Sequence, residues 1–243
     1  MAEQIWQNCK LWLAGYDLSG DMNALALDYG AELQDNTTFD DDTRSRLGGL
    51  KTVTVQHEGL WNGGDDQVDE VLFSRIGLKD EVMSISPQAG AEGEIGYTFR
   101  SALSEYAPGA TVGEILAFSV SGEASSGPLV RGTIVHNAAR TANGQGSAFQ
   151  LGNVGAGQKL YAVLHVVAAS GTTPTLVVKV QSDITSGMAG PPTDRITFAQ
   201  AGAIGAQWAT PVAGAITDDW WRVDYTIGGG GPSFTFVVII GIQ

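Results

Sequence analysis

Apolar positions along this chain recur mostly with a period of two, in runs too short for ordinary helices. Leu25, Leu27 and Tyr29 fall on one face of the segment 23–29. In residues 50–61, Val53, Val55 and His57 alternate with Thr52, Thr54 and Gln56, which predicts a strand with one face toward water. Further strands are predicted at 11–20, 81–86, 94–104, 112–123, 159–167, 175–181, 195–199, 220–227 and 233–242, each punctuated by Gly, Pro or Asp turns. One segment changes period. Val68, Val71, Leu72 and Ile76 stand at helical spacing and predict a helix over 66–76, with Asp65 or Asp66 as cap, Asp69 and Glu70 at the positive end of the dipole, and Arg75 before Gly77 as the stop. Residues 34–49 follow neither period; a polar loop of that length is functional or ordered only by a partner.

Composition strengthens the strand reading. With 33 glycines and only five lysines in 243 residues, the chain reads as many short strands joined by tight turns, a mainly β fold. The length accommodates two domains. The small, polar, Gly-rich segment 137–146 is the expected linker between a domain at 1–137 and a β-sandwich-like domain at 147–243. Charge divides along a similar line: residues 1–125 carry 7 Lys+Arg against 21 Asp+Glu, and the remainder 6 against 5. Such an acidic surface repels nucleic-acid phosphates and anionic membranes, which excludes a DNA-gripping protein. The single cysteine, Cys9, excludes an internal disulfide and a cysteine-based zinc cluster. No signal peptide or membrane span is expected, since Glu3 replaces a basic leader region and no apolar run approaches the ~20 residues that cross a bilayer.

Candidate chemistry is sparse. His57 and His165 alternate with apolar residues on predicted strands and His136 adjoins Val135, so all three read as structural histidines. Ser125-Ser126-Gly127 lacks the glycine spacing of a nucleophile elbow and reads as a turn. Carboxylates abound, as a glycosidase would need, but they concentrate in turns and at the helix start, where solvation and capping account for them. Neither Asp40-Asp41-Asp42 nor Asp17 with Asp21 has the ligand spacing of a calcium loop. The run Gly228 to Gly231 is no phosphate loop and reads as a hairpin. Trp220 and Trp221 point to opposite faces of a strand, so one of them is a candidate sugar platform. No catalytic residue, cofactor or metal is expected.

Four segments form a recognisable series: Asp17-Leu18-Ser19-Gly20, the segment 23–27, the loop Thr37-Thr38-Phe39-Asp40-Asp41-Asp42-Thr43-Arg44-Ser45-Arg46, and Gly49-Leu50-Lys51 leading to Glu58-Gly59-Leu60-Trp61. With them the chain resembles, across residues 10–135, the tail tube proteins of long-tailed bacteriophages. Segments 112–121 and 127–132 are similar too, while Gly48 stands where the usual pattern has proline. The resemblance implies a tail-tube-type β-sandwich or barrel with one flanking helix, and a non-enzymatic virion protein made in the host bacterial cytoplasm. It implies homo-oligomeric rings stacked into a tube, with other tail proteins (tape measure, terminator, distal tail) as partners and DNA passing through without specific binding. The loop residues Thr37, Thr38, Phe39, Asp40, Asp41, Asp42, Arg44 and Arg46 are then the expected contacts between subunits. The C-terminal half would be an added outer domain or a second tube-like one. A capsid decoration or head-tail connector protein shares the acidic, β-rich, cysteine-poor character, and a carbohydrate-binding β-sandwich is the weaker alternative.

Overall fold

A computed structural model describes residues 7–40 and 42–243. In chain order the elements are β1 (Lys10–Leu13), β2 (Tyr16–Asp17), β3 (Met22–Asp35), β4 (Arg46–Leu60), α1 (Val68–Arg75), β5 (Glu81–Ser86), β6 (Ile95–Gly109), β7 (Ala117–Arg140), β8 (Gly144–Gln145), β9 (Phe149–Gln150), β10 (Lys159–Asp183), β11 (Thr193–Thr197), β12 (Gly205–Trp208), β13 (Val212–Ala213) and β14 (Trp220–Ile242). The fold is mainly β, and β5 has its predicted bounds. Two compact units emerge. Unit 1 takes the described residues up to 20 with 81–99 and 130–243, and unit 2 takes 21–80 with 100–129. This division differs from the expected one at 137–146. That segment is woven into unit 1, because β7 runs to Arg140 and both β8 and β9 pair with β14.

Unit 1 is organised by one strand pair. β10 and β14 are hydrogen-bonded from Leu160↔Ile242 to Asp183↔Trp220, with register shifts between Val166 and Thr175. The four strands predicted at 159–167, 175–181, 220–227 and 233–242 are therefore two long ones. Leu164, Val178, Val223 and Phe236, drawn from both halves of both strands, meet in one buried cluster. The ribbon is thus folded over into two layers, with the irregular stretch as the corner. Gly228 to Gly231 lies within β14 at that corner and is no separate hairpin. Glycine is required there because the two backbones crowd: a Cβ on Gly229 would sit 2.7 Å from the Thr173 carbonyl oxygen, and one on Gly171 2.9 Å from that of Gly231.

The two layers explain two sequence patterns. One half of β14 buries Phe234, Phe236, Val238 and Ile240 between the layers, while Val237 and Ile239 pack with Trp12 and Ile134 on its other face. A strand covered on both faces reads as a continuous apolar run. The other half buries only Trp221, Val223, Tyr225 and Ile227, so apolar and polar residues alternate. Trp221 is wholly inside, its indole N–H donating to Gly152 O at 2.8 Å, so it offers no sugar platform. On the open side of the sandwich, the Gln207 carboxamide satisfies both the N–H and the carbonyl of Ala199, each at 2.9 Å, as a neighbouring strand would.

All three histidines are buried. His165 Nε2 lies 2.8 Å from Ser84 Oγ, and the Ser84 hydroxyl donates onward to Thr98 Oγ1 at 2.9 Å. His57 packs edge-on against Phe118, and neither of its ring nitrogens has a hydrogen-bond partner among the described residues. His136 Nδ1 lies 3.1 Å from Glu92 Oε1 without hydrogen-bond geometry. Burial pushes His57 and His136 down to about 4 and His165 to about 3, with the Arg140 charge adding to the effect on His136.

In unit 2, β4 pairs with β3 on one side and β7 on the other, and β7 continues to β6. α1 buries Val68, Val71 and Leu72. Two contacts hold it in place: Tyr106 O–H donates to Asp69 Oδ1 at 2.6 Å, and Gly77 N–H to Leu103 O at 2.9 Å. The helix begins later than expected. Its N-cap is Gln67, which makes no side-chain cap bond, and Glu70 instead reaches back to accept the Asp66 N–H at 2.8 Å. Ser125-Ser126-Gly127 lies inside β7 and forms no turn; both serine hydroxyls donate to Asp80 Oδ1. Those bonds lower the Asp80 pKa from its ordinary value.

Two predictions follow from packing. Gly15 and Gly113 share φ +96°, but a Cβ on Gly15 would lie 2.5 Å from the Gly205 backbone whereas nothing lies within 4 Å of one on Gly113. Gly113→Ala should therefore cost about 1 kcal/mol and Gly15→Ala about 3 kcal/mol or more, read from urea midpoints at constant slope. The second concerns pH. The buried histidines stay neutral where the unfolded chain protonates, so stability is complete above pH 6.5 and falls toward pH 4 by up to about 1.4 kcal/mol per unit for each histidine. His57→Phe should flatten this slope by about one third.

Candidate self-association surface

β4 is flanked on both sides only from Thr54 to Leu60, where it pairs with β7. From Val53 outward it pairs with β3 alone, through Tyr29↔Val53 and Ala31↔Lys51 to Asp35↔Arg46. Residues 30–52 thus form a free-standing two-stranded arm that extends about 20 Å past the last three-stranded row. The expected loop at 34–49 is correspondingly shorter, because its ends are strand: Gln34 pairs with Leu47 and Asp35 with Arg46. The polar pattern misled here since both faces of the arm are exposed and no period is imposed. A two-stranded ribbon alone is marginal in water.

The tip, residues 36–45, is closed by side chains. Asp35 Oδ1 accepts the Thr37 N–H at 3.0 Å and the Thr37 hydroxyl at 2.6 Å, and Thr37 Oγ1 accepts the Ser45 N–H at 3.0 Å. These bonds lower the Asp35 pKa. Thr38, Phe39, Asp40, Asp42, Arg44 and Arg46 are all exposed around this turn, with Phe39 fully so, while Asp41 lies outside the described residues. The arm therefore brings the expected contact residues together on one projection.

The sequence reading missed the apolar residues behind the tip. Leu33, Leu47 and Leu50 are exposed on the arm, Leu50 by 79%. Elsewhere in unit 2, Phe73 of α1 is 76% exposed, followed by Ile76 and Leu78, and Val112 and Ile115 are open as well. Among the large apolar residues exposed in the described structure, only Ile184 belongs to unit 1. Large apolar side chains left in water and gathered in one unit mark a candidate interaction surface. Leu33, Leu47 and Leu50 within a polar stretch were the available signal.

One sheet face of unit 2 has a different character. Opposite the buried Val53, Val55, His57, Phe118 and Val120 stand Ala24, Ala26 and Asp28 of β3, Thr54, Gln56 and Glu58 of β4, and Ser119, Ser121 and Glu123 of β7. These strands contribute small and acidic residues to that face and no Lys or Arg. The acidic excess follows the unit: unit 2 holds 16 Asp+Glu against 6 Lys+Arg, and unit 1 holds 10 against 7.

No family model and no curated protein matches the chain. Among solved structures it is similar to a chain of the virion of a native gene transfer agent particle, at 14% identity and TM-score 0.42 over 52% of this chain and 97% of that one. It is similar also to the Dit protein of phage SPP1, at 10% identity and TM-score 0.37 over 98% and 100% of the two chains. A third likeness is to the PVC extracellular contractile injection system sheath-tube complex, at 10% identity and TM-score 0.39 over 54% and 90%. All three come from phages or from virion-like and injection particles. At these identities and scores they assign no role to a residue of this chain.

Proposed function

We propose that this chain is a structural virion protein that assembles with itself into rings, and that the rings stack into a phage tail tube. The observation that carries this reading is one unit that combines a smooth, acidic sheet face with a free-standing arm on an edge strand. β3 has a neighbour on one side only among the described strands, and an open edge of 14 residues is a template for pairing with a further copy. Repeated around a ring, Asp28, Glu58 and Glu123 would face the channel. DNA affinity arises from cations that displace the counterions of phosphate, and a wall of carboxylates, hydroxyls and methyl groups supplies none. The genome then slides without sticking. The arm, apolar behind a charged tip, gains its missing cover from neighbouring copies. Tape-measure, terminator and distal-tail proteins are the further partners of such a tube.

Purified protein should form hollow filaments with a regular axial repeat in negative-stain micrographs, and deleting residues 35–46 should leave a folded protein that no longer stacks. Rings or trimers that never stack would point instead to a connector or capsid decoration role. A second measurement addresses the channel. Tubes carrying Asp28→Lys, Glu58→Lys and Glu123→Lys together should retain DNA on co-sedimentation at low salt and release it as salt rises, whereas unaltered tubes retain none.

A further inference from the structure

Where β10 ends beside β11 and β14 in unit 1, three cations have partners and one carboxylate lacks a full set. Lys179 Nζ lies 2.6 Å from Asp194 Oδ2, Arg195 Nη2 donates to Asp218 Oδ2 at 2.9 Å, and Arg222 Nε donates to Gln181 Oε1 at 3.0 Å. Asp183, the last residue of β10, is only 8% exposed. Its Oδ1 accepts the Thr185 N–H at 3.0 Å and the Thr185 hydroxyl at 3.1 Å, but its Oδ2 is buried with no hydrogen-bond partner among the described residues. A carboxylate oxygen buried in this way is costly unless a positive charge faces it.

That oxygen is directed into the loop that follows the strand. Segment 184–190 turns back on Asp183, the Met188 N–H donating to Thr185 O at 3.1 Å and the Met188 side chain folding inward. At the returning end stands Gly190, where a Cβ would lie 3.3 Å from Asp183 Oδ2 and 4.0 Å from its Oδ1. The segment offers the Thr185 and Ser186 hydroxyls and its peptide carbonyls, and contains no Lys, Arg or His. We propose that Asp183 binds a calcium ion, with Oδ2 as the charged ligand and uncharged oxygens of segment 184–190 and water completing the shell. Calcium suits such a set because it accepts carbonyl and hydroxyl oxygens in irregular geometry, whereas magnesium demands a near-ideal octahedron. A single carboxylate places the affinity in the weak range, about 10⁻⁴ to 10⁻³ M. The ion would tie the loop leading into β11 to the end of β10, and it does so whether or not the chain builds tubes.

Melting of the full chain tests the site. In about 10 mM calcium chloride the Tm should rise by about 3 °C or more, and in magnesium chloride at the same concentration by less than half as much. Asp183→Asn keeps an oxygen for the Thr185 bonds and removes the charge, so it should abolish the calcium increment. Gly190→Ala leaves the charge and crowds Oδ2, and should weaken calcium binding at least about five-fold by titration. Terbium, which occupies calcium sites and emits when a nearby tryptophan is excited, gives an independent reading, because Trp220 stands directly opposite Asp183 in the β10 and β14 register. Its emission should be lost in Asp183→Asn and displaced by calcium, and Trp220→Phe should at least halve it while preserving the calcium shift. Stabilisation equal in calcium and magnesium, or surviving Asp183→Asn or Gly190→Ala, overturns the site, as does terbium emission indifferent to Asp183→Asn.

Discussion

Unit 1 depends on the pairing of β10 with β14, because six other strands attach to that pair directly and β6, β5, β1 and β2 follow in turn beyond β7. β7, β8 and β9 line one side of β14, while β11, β12 and β13 line the outer side of β10. Folding the ribbon at its glycine-rich corner turns one long antiparallel pair into a sandwich, so a single register determines which residues face the core in both layers. A slip by one residue would reverse every side chain at once. The bulges at the corner confine irregularity to the place where the chain must bend.

Unit 2 solves the opposite problem. Its core is small and its sheet narrows to two strands, leaving an arm whose apolar residues have nothing of their own to pack against. In an isolated globular protein this would be a liability for aggregation. In an assembling subunit the same exposure is a driving force. Acid on the sheet face discourages nucleic acid, and the buried histidines report acidification through stability, away from the exposed surface.

The β class, the bounds of β5, the existence of the helix and the structural character of the histidines were legible in the sequence, since each follows from local periodicity. Period two in Val53, Val55 and His57 placed that face inward, and the spacing of Val68, Val71 and Leu72 placed the helix. Misreadings arose where local signal and environment part. Residues 31–35 and 46–50 are strand without alternation because no core touches them. Gly228 to Gly231 looks like the end of two strands because a bend inside one strand needs the same residue. The helix cap passed from Asp65 or Asp66 to a backward bond from Glu70, a choice between neighbouring acids that composition leaves open.

The chain's own residues determined how much of it is strand, where charge accumulates and which stretch carries the Phe39, Arg44 and Arg46 projection, because periodicity, net charge and turn chemistry act over a few positions at a time. Only the tertiary structure decided that two long strands fold over into both layers of one sandwich, that β6 and β7 run through both units, and that Leu33, Leu47 and Phe73 are left in water. Those outcomes are set by pairings between residues far apart along the chain, and whether an apolar side chain is covered depends on which strand arrives beside it.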